Sequence, residues 1–176
     1  VFEGGIRVPA AIRWPGEIPV GRKITVPLAW IDVLPTLMSI TGVSQSDGKR
    51  LDGINVLDVL TGKQSQLERD VFNYIGQQGE DAEETALITS EWKLVVQGPN
   101  ITNDKLDPTK RRTFLFRIDQ DRNETSNLAE KYPGRLKKMY QRLVTFRSLQ
   151  PANAVSPYRE GRAGFKVPKE WKVPVR

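Results

Sequence analysis

The 176-residue chain contains no Cys and no His. Without Cys there is no disulfide, no thiol nucleophile and no thiolate zinc site. Without His the commonest neutral-pH base and the commonest transition-metal ligand are gone. Acid–base chemistry would fall to Asp, Glu, Lys or Tyr. No apolar run approaches the roughly 18 residues of a membrane-spanning helix. The first residues lack the charged and apolar regions of a secretory leader, which, for a secreted parent, is expected upstream of Val1.

What is present is enough for a modest core, at 38% hydrophobic residues. The net charge of +6 is unevenly placed. Residues 151–176 hold six basic residues against Glu160 and Glu170, which is +4 of that total, whereas the rest of the chain is nearly balanced. A basic tail attracts anionic partners at long range. Here prolines and aromatics interleave with the charges, so a tail laid over the body is the plainer expectation.

Along the first third, Ile6, Val8, Ala10 and Ile12 alternate with Arg7, Pro9, Ala11 and Arg13, the period of a half-buried strand. Pro9 has no amide hydrogen, which points to an edge strand or a strand end. Trp14-Pro15-Gly16 turns the chain, and Ile24, Val26 and Leu28 predict a short second extended piece. A helix is expected over residues 32–42, with Asp32 as N-cap, Pro35 in the first turn and Gly42 as C-terminal stop. Its Leu34, Leu37, Met38 and Thr41 fall on one face that needs a covering surface. Val56, Leu57 and Leu60 mark a short helix stopped by Gly62.

Composition changes near residues 63–70. Beyond lie strand candidates at 71–75, 85–89, 92–96 and 113–118, with Ser90-Glu91 as a hairpin connection. An amphipathic helix starts near Pro133, with Leu136, Met139, Tyr140, Leu143 and Phe146 inward and Arg135, Lys137, Lys138 and Arg142 outward. Three or four antiparallel strands on one helix make a small α+β unit. Asp119 and Asp121 lack the ligand ladder of a calcium-binding loop and read as a solvated turn. Asn100-Ile101-Thr102 and Asn123-Glu124-Thr125 match the N-glycosylation pattern.

Five pieces in this order resemble the C-terminal part of a sulfatase of the arylsulfatase type. They are Phe2-Glu3-Gly4-Gly5-Ile6-Arg7-Val8-Pro9 with Trp14-Pro15-Gly16; Asp32-Val33-Leu34-Pro35-Thr36-Leu37 ending in Gly42; Leu51-Asp52-Gly53 with Leu60-Thr61-Gly62; Glu91-Trp92-Lys93; and Phe114 to Asp121 followed by Glu124 and Asn127-Leu128. The last piece has Phe116 and Arg117 where the family often has Tyr-Asp, which keeps the packing body and loses a hydroxyl.

The resemblance implies the C-terminal portion of an alkaline-phosphatase-like α/β fold. Residues 1–66 would end the large domain, 67–150 would form the small α+β subdomain, and 151–176 a basic tail. It implies a parent that hydrolyses sulfate esters with a formylglycine made from Cys or Ser and a calcium ion, both supplied upstream of this chain. A family lysine near the sulfate is likewise expected before Val1. No cofactor, metal ligand or catalytic residue is therefore expected within residues 1–176. Glu3, Gly4, Gly5 and Arg7 are the site-adjacent candidates: the glycines permit a tight backbone path and Arg7 can reach an anion or a carboxylate.

The expected partners are the upstream catalytic segment and a sulfated small molecule or glycan, while a nucleic-acid partner is disfavoured because no aromatic stacking motif accompanies the basic groups. An extracytoplasmic location follows from the resemblance alone. The competing reading is a non-catalytic module that binds anionic glycans or proteins through the basic tail and the basic helix face.

Overall fold

The computed structural model describes residues 1–44, 48 and 50–151. The basic tail from residue 152 onward lies outside the described residues. Four strands, β1 (Val71–Ile75), β2 (Glu83–Ile88), β3 (Lys93–Gly98) and β4 (Arg112–Phe116), form an antiparallel meander in the order β1-β2-β3-β4. The β2–β3 connection is the expected hairpin, closed where Thr89 N donates to the Trp92 carbonyl at 2.8 Å.

Helix α4 (Pro133–Ser148) lies across one face of this sheet. Pro133 opens it without loss of a helical bond. Its inward stripe meets the alternate side chains of the strands, so that Leu87, Trp92, Leu94, Val96, Ile101, Leu115, Met139 and Leu143 share one core. Phe72 on β1 stacks on Phe146 of α4, with ring centroids 4.2 Å apart. The opposite face buries Ala86, Val95 and Phe116 under Val1 and Phe2. The opening residues thus cover the side of the sheet that α4 leaves free.

The opening residues form no strand. Glu3–Ile6 make a single helical turn, α1, and residues 7–13 have no regular structure. The alternation of Ile6, Val8, Ala10 and Ile12 has no neighbouring strand to pair with, and Val8 and Ile12 are exposed. Residues 24–28 likewise pair with nothing. Helices α2 (Val33–Thr41) and α3 (Leu57–Thr61) form as expected, each ended by a left-handed glycine, Gly42 at φ 71° and Gly62 at φ 91°. Around α3, Val56, Val59, Leu60 and Leu67 make a small separate core.

The inward side of α2 is not its leucine stripe. Thr36 is buried, whereas Leu34 and Leu37 are 54% and 51% exposed. Asp32 stands at the N-cap position of α2 but its carboxylate caps nothing there. Instead Oδ2 accepts from Ala29 N at 2.8 Å, Oδ1 accepts from Ile54 N at 3.1 Å, and Arg69 pairs with the same group. Thr36 Oγ1 accepts from Val56 N at 3.1 Å, so Asp32 and Thr36 together fix the loop before α3. In that loop a Cβ on Gly53 would run into the Ile31 carbonyl, which accounts for glycine there.

Candidate functional site

Lys93 opens β3 on the face that carries Ala86, Val95 and Phe116, and its side chain is fully buried. An ammonium cannot stay charged in such a place without partners. Two carboxylates supply them. Nζ donates to Glu3 Oε1 at 3.0 Å and lies 2.7 Å from Glu124 Oε1, an ion-pair contact away from ideal hydrogen-bond alignment. The second oxygen of Glu124 accepts from the Glu3 backbone N–H at 2.7 Å. Arg7, half exposed, reaches Glu3 Oε2 at 3.5 Å and completes a cluster of two cations and two anions.

Each member arrives by a different local rule. Glu3 is in the first turn of α1, and Gly4 and Gly5 leave that turn open on its outer side: a methyl group on either would meet nothing within 4 Å. Glu124 lies within a turn closed by Asp121, whose carboxylate accepts from Thr125 N, Thr125 Oγ1 and Ser126 N. Those bonds hold the Asp121 carboxyl below the usual carboxylate range, the backbone donor of Thr125 acting most strongly. Glu124 itself has φ 56°, a left-handed conformation that costs a non-glycine residue roughly 1–2 kcal/mol. Its two anchored oxygens offset that strain.

A second buried pair ties α4 to the sheet. Arg147 donates through Nε to Glu83 Oε2 at 2.9 Å and through Nη2 to Glu83 Oε1 at 2.6 Å, a two-pronged arrangement. Tyr74 O–H donates to Glu83 Oε1 at 3.0 Å, and the Arg147 guanidinium lies 5.1 Å from the Tyr74 ring centroid. Burial first, and the hydrogen bond to Glu83 second, push the Tyr74 hydroxyl above its ordinary value. The hydrogen bond to Glu83 raises Arg147 in turn. An open cleft of about 430 Å³ beside Arg147 is lined by Glu80, Asn100, Asn103 and Lys105.

These groups hold one another and present no reacting centre. Between Glu3 and Glu124 stands the Lys93 ammonium. Among the described residues no group of three or more Asp and Glu is arranged to hold a metal ion. The chain has no Cys from which a formylglycine could be made, and calcium needs roughly six or more convergent oxygens, which the described residues do not gather. The solvated-turn reading of Asp119 and Asp121 agrees with their exposure and partners, Arg117 for the former and the Thr125 turn for the latter. Asn100 is buried, its side-chain oxygen accepting from Thr102 N and Oγ1, whereas Asn123 is exposed.

Residue reasoning singles out Glu3 and Arg7 but misses Lys93 and Glu124 as their partners. The available signal is the alternation itself: in Lys93-Leu94-Val95-Val96 the lysine shares Val95's face.

A meander covered on one face by α4 and on the other by the opening turn, joined through Glu3, Lys93 and Glu124, is a small α+β domain closed by the start of its own chain. The chain belongs to the family described as N-sulphoglucosamine sulphohydrolase, C-terminal, whose profile matches residues 1–147. It is 29% identical over 137 residues to Arylsulfatase G of Rattus norvegicus, covering 75% of this chain and 26% of that protein. Against Arylsulfatase H of Homo sapiens the identity is 40% over 76 residues, covering 43% of this chain and 14% of that protein.

In fold it resembles Ps i-CgsB, with TM-score 0.65 at 17% identity over 84% of this chain and 30% of that one. It also resembles the putative sulfatase yidJ from Bacteroides fragilis, with TM-score 0.59 at 18% identity over 77% and 28%. The architecture is therefore the C-terminal portion of the alkaline-phosphatase-like α/β sulfatase fold. The chain spans about a quarter of the length of the Arylsulfatase G it matches.

Proposed function

We propose that this chain is the C-terminal part of a sulfatase that hydrolyses sulfate esters of a small molecule or glycan, with nucleophile and calcium ligands upstream of Val1. The observation that carries this reading is the family match over residues 1–147, and the Glu3–Lys93–Glu124 cluster suggests what the piece does within the parent. Three pieces far apart in sequence converge on the cluster, and it grips the opening turn by both a carboxylate and a backbone N–H. The role that follows is mechanical: the small sheet holds the Glu3-Gly4-Gly5 turn in place, and the residues before it are thereby set against the pocket. Glu3 and Arg7 are then site-adjacent positioning groups, and the open outer side of Gly4 and Gly5 leaves room for a neighbouring backbone.

In this reading residues 1–66 finish the large domain, 67–150 form the small one, and 151–176 are its basic tail. The upstream segment is the partner that covers Leu34, Leu37 and Trp30, the last 79% exposed. The location is extracytoplasmic. Among the described residues no helix is long and apolar enough to cross a membrane.

The test is sulfate release from an aryl sulfate by the 176-residue chain alone and by the chain co-expressed with the segment encoded upstream of it. Activity is expected only in the second case, with Arg7→Ala lowering turnover there and leaving the melting temperature in place. Turnover by the isolated chain would place the chemistry inside residues 1–176 and end this reading.

A further inference from the structure

Arg135, in the first turn of α4, lays its guanidinium 4.8 Å from the Trp92 ring centroid. Arg117 lies 5.5 Å from the same ring. The two differ in how their donors are used. Arg117 is satisfied by Asp119 at 3.2 Å and Glu91 at 3.5 Å, whereas Arg135 has no carboxylate partner among the described residues. Contact with the Trp92 ring restrains the guanidinium, while Arg135 as a residue remains exposed. A planar, weakly hydrated fork held in this way is suited to two oxygens of one oxyanion.

Further cations adjoin it. Lys138 follows one turn later on the same flank of α4, and Lys131 precedes it by four residues, its Nζ 5.6 Å from the Tyr132 ring centroid. Residues 133–148 contain no carboxylate, and Arg135, Lys137 and Lys138 occupy the first two turns of the helix. That is the reverse of what the helix macrodipole favours, so helix stability does not explain the placement. Arg142, farther along, is engaged by Asp70, and Glu130 is the acidic neighbour on the approach to the helix.

We propose that Arg135, Lys131 and Lys138 form a docking patch for a sulfated polysaccharide. The choice of polymer rests on the sulfatase reading above. Two observations support the patch itself. It lies on the α4 side of the sheet, while the opening turn and its ion cluster occupy the other face, so polymer held there does not obstruct the junction. Single-stranded nucleic acid needs open aromatic faces for its bases. Here Trp92 is only 4% exposed and has guanidinium groups over its ring, and Lys131 sits over Tyr132.

The experiment measures affinity of the 176-residue chain for heparin, for size-matched desulfated heparin and for a single-stranded oligonucleotide across a salt series. Heparin is expected to bind at least about tenfold more tightly than either comparison polymer, a gap of about 1.4 kcal/mol. Arg135→Gln with Lys138→Gln should weaken heparin binding about tenfold and reduce the salt slope by roughly one to two. Arg135→Lys keeps the charge without the planar fork and should fall between. Lys63→Gln with Lys105→Gln, remote from the patch, should change little.

Should loss of the Trp92 stack unfold the first variant, Lys131→Gln with Lys138→Gln touches no packed ring contact of Trp92 and takes its place, with the same expected direction. Equal loss in the remote variant, equal binding of desulfated polymer or oligonucleotide, or binding that disappears only when the chain is ended at residue 151 would overturn the proposal. A chain that restores hydrolysis with its upstream segment yet ignores heparin would overturn this inference alone. One that binds heparin without restoring hydrolysis would leave the patch standing and the sulfatase reading fallen.

Discussion

Residues 71–148 and residues 7–62 solve the burial problem in different ways. The first region closes on itself: four strands and α4 share one continuous core, with Leu87, Leu94, Leu115 and Leu143 fully out of solvent. The second has a core of three buried apolar residues around α3, Val56, Val59 and Leu60, joined by Leu67 from the segment that follows, and leaves Val8, Ile12, Trp30, Leu34, Leu37 and Val43 at least 50% exposed. Burial stabilises by about 25 cal/mol per Å² of apolar surface, so the sheet unit draws stability from its own residues and the opening region must draw much of its stability from elsewhere. The opening residues are tied to the sheet by Val1 and Phe2 packing on Ala86, Val95 and Phe116 and by the Lys93 cluster gripping Glu3, while the Asp32 and Thr36 bonds fix the loop before α3.

That contrast breaks most readily at Lys93. Replacing it by Met leaves two carboxylates facing each other in a largely buried site and should cost about 3–5 kcal/mol, read as a drop in the denaturant midpoint. Adding Glu3→Gln and Glu124→Gln to the same variant should recover much of the loss, because no unpaired charge then remains. No recovery would mean that the cluster is not the joint between the opening turn and the sheet. Leu143→Ala comes next, at about 2–5 kcal/mol, since its side chain is wholly buried between α4 and the sheet. The same change at Leu37 should cost far less.

The closed region is also the one that sequence pattern describes well. Strand alternation and the three-and-four stripe of α4 are signals of burial within one chain, and Leu136, Met139, Tyr140, Leu143 and Phe146 all reach the core or its edge. In the opening region the same signals mislead. Ile6 to Ile12 alternate without a strand to pair with, and the leucine stripe of α2 faces solvent, because apolar pattern records what a segment buries against without naming where that surface is. The ion cluster is half legible. Glu3 and Arg7 stand out by their glycine neighbours, but Lys93 looks like an outward strand lysine and Glu124 like part of an acidic turn. Their meeting depends on the pairing of Lys93 with Ile88 and Phe116 across three strands, which no local spacing encodes.

Gly53→Ala tests the polar anchoring of the opening region by a smaller amount. A methyl there collides with the Ile31 backbone, so about 1–3 kcal/mol should be lost. Hydrogen exchange should show that loss in α2 and α3, with the strands protected as before. Faster exchange throughout β2 and β3 would instead make the two regions one cooperative unit.

The pH dependence separates two sites within residues 71–148. Tyr74 titrates above its ordinary value of about 10 in the folded chain, so the unfolded chain loses its proton first. Its contribution is whole below that value and declines as pH rises through the folded one. Asp121 runs the other way: its folded carboxyl is lowered, so its contribution is present above the ordinary carboxylate range and fades as pH falls through the folded value. Thermal melts of Tyr74→Phe should therefore lose part of the alkaline decline and keep the acid one. An unchanged alkaline limb would mean that the Tyr74–Glu83 contact adds nothing to stability.

The smallest expected effect bears most directly on the exposed face. Leu37→Ser in the isolated chain replaces an apolar side chain that is already half in water, and exposed substitutions of this kind usually lie within about 0.5 kcal/mol of neutral. The melting temperature should hardly move, while co-expression with the upstream segment should yield less complex and less sulfate release. The pairing of those two readouts is what distinguishes a docking face from an indifferent surface. A leucine that is merely exposed changes neither, and one that supports α2 within the chain lowers the melt first.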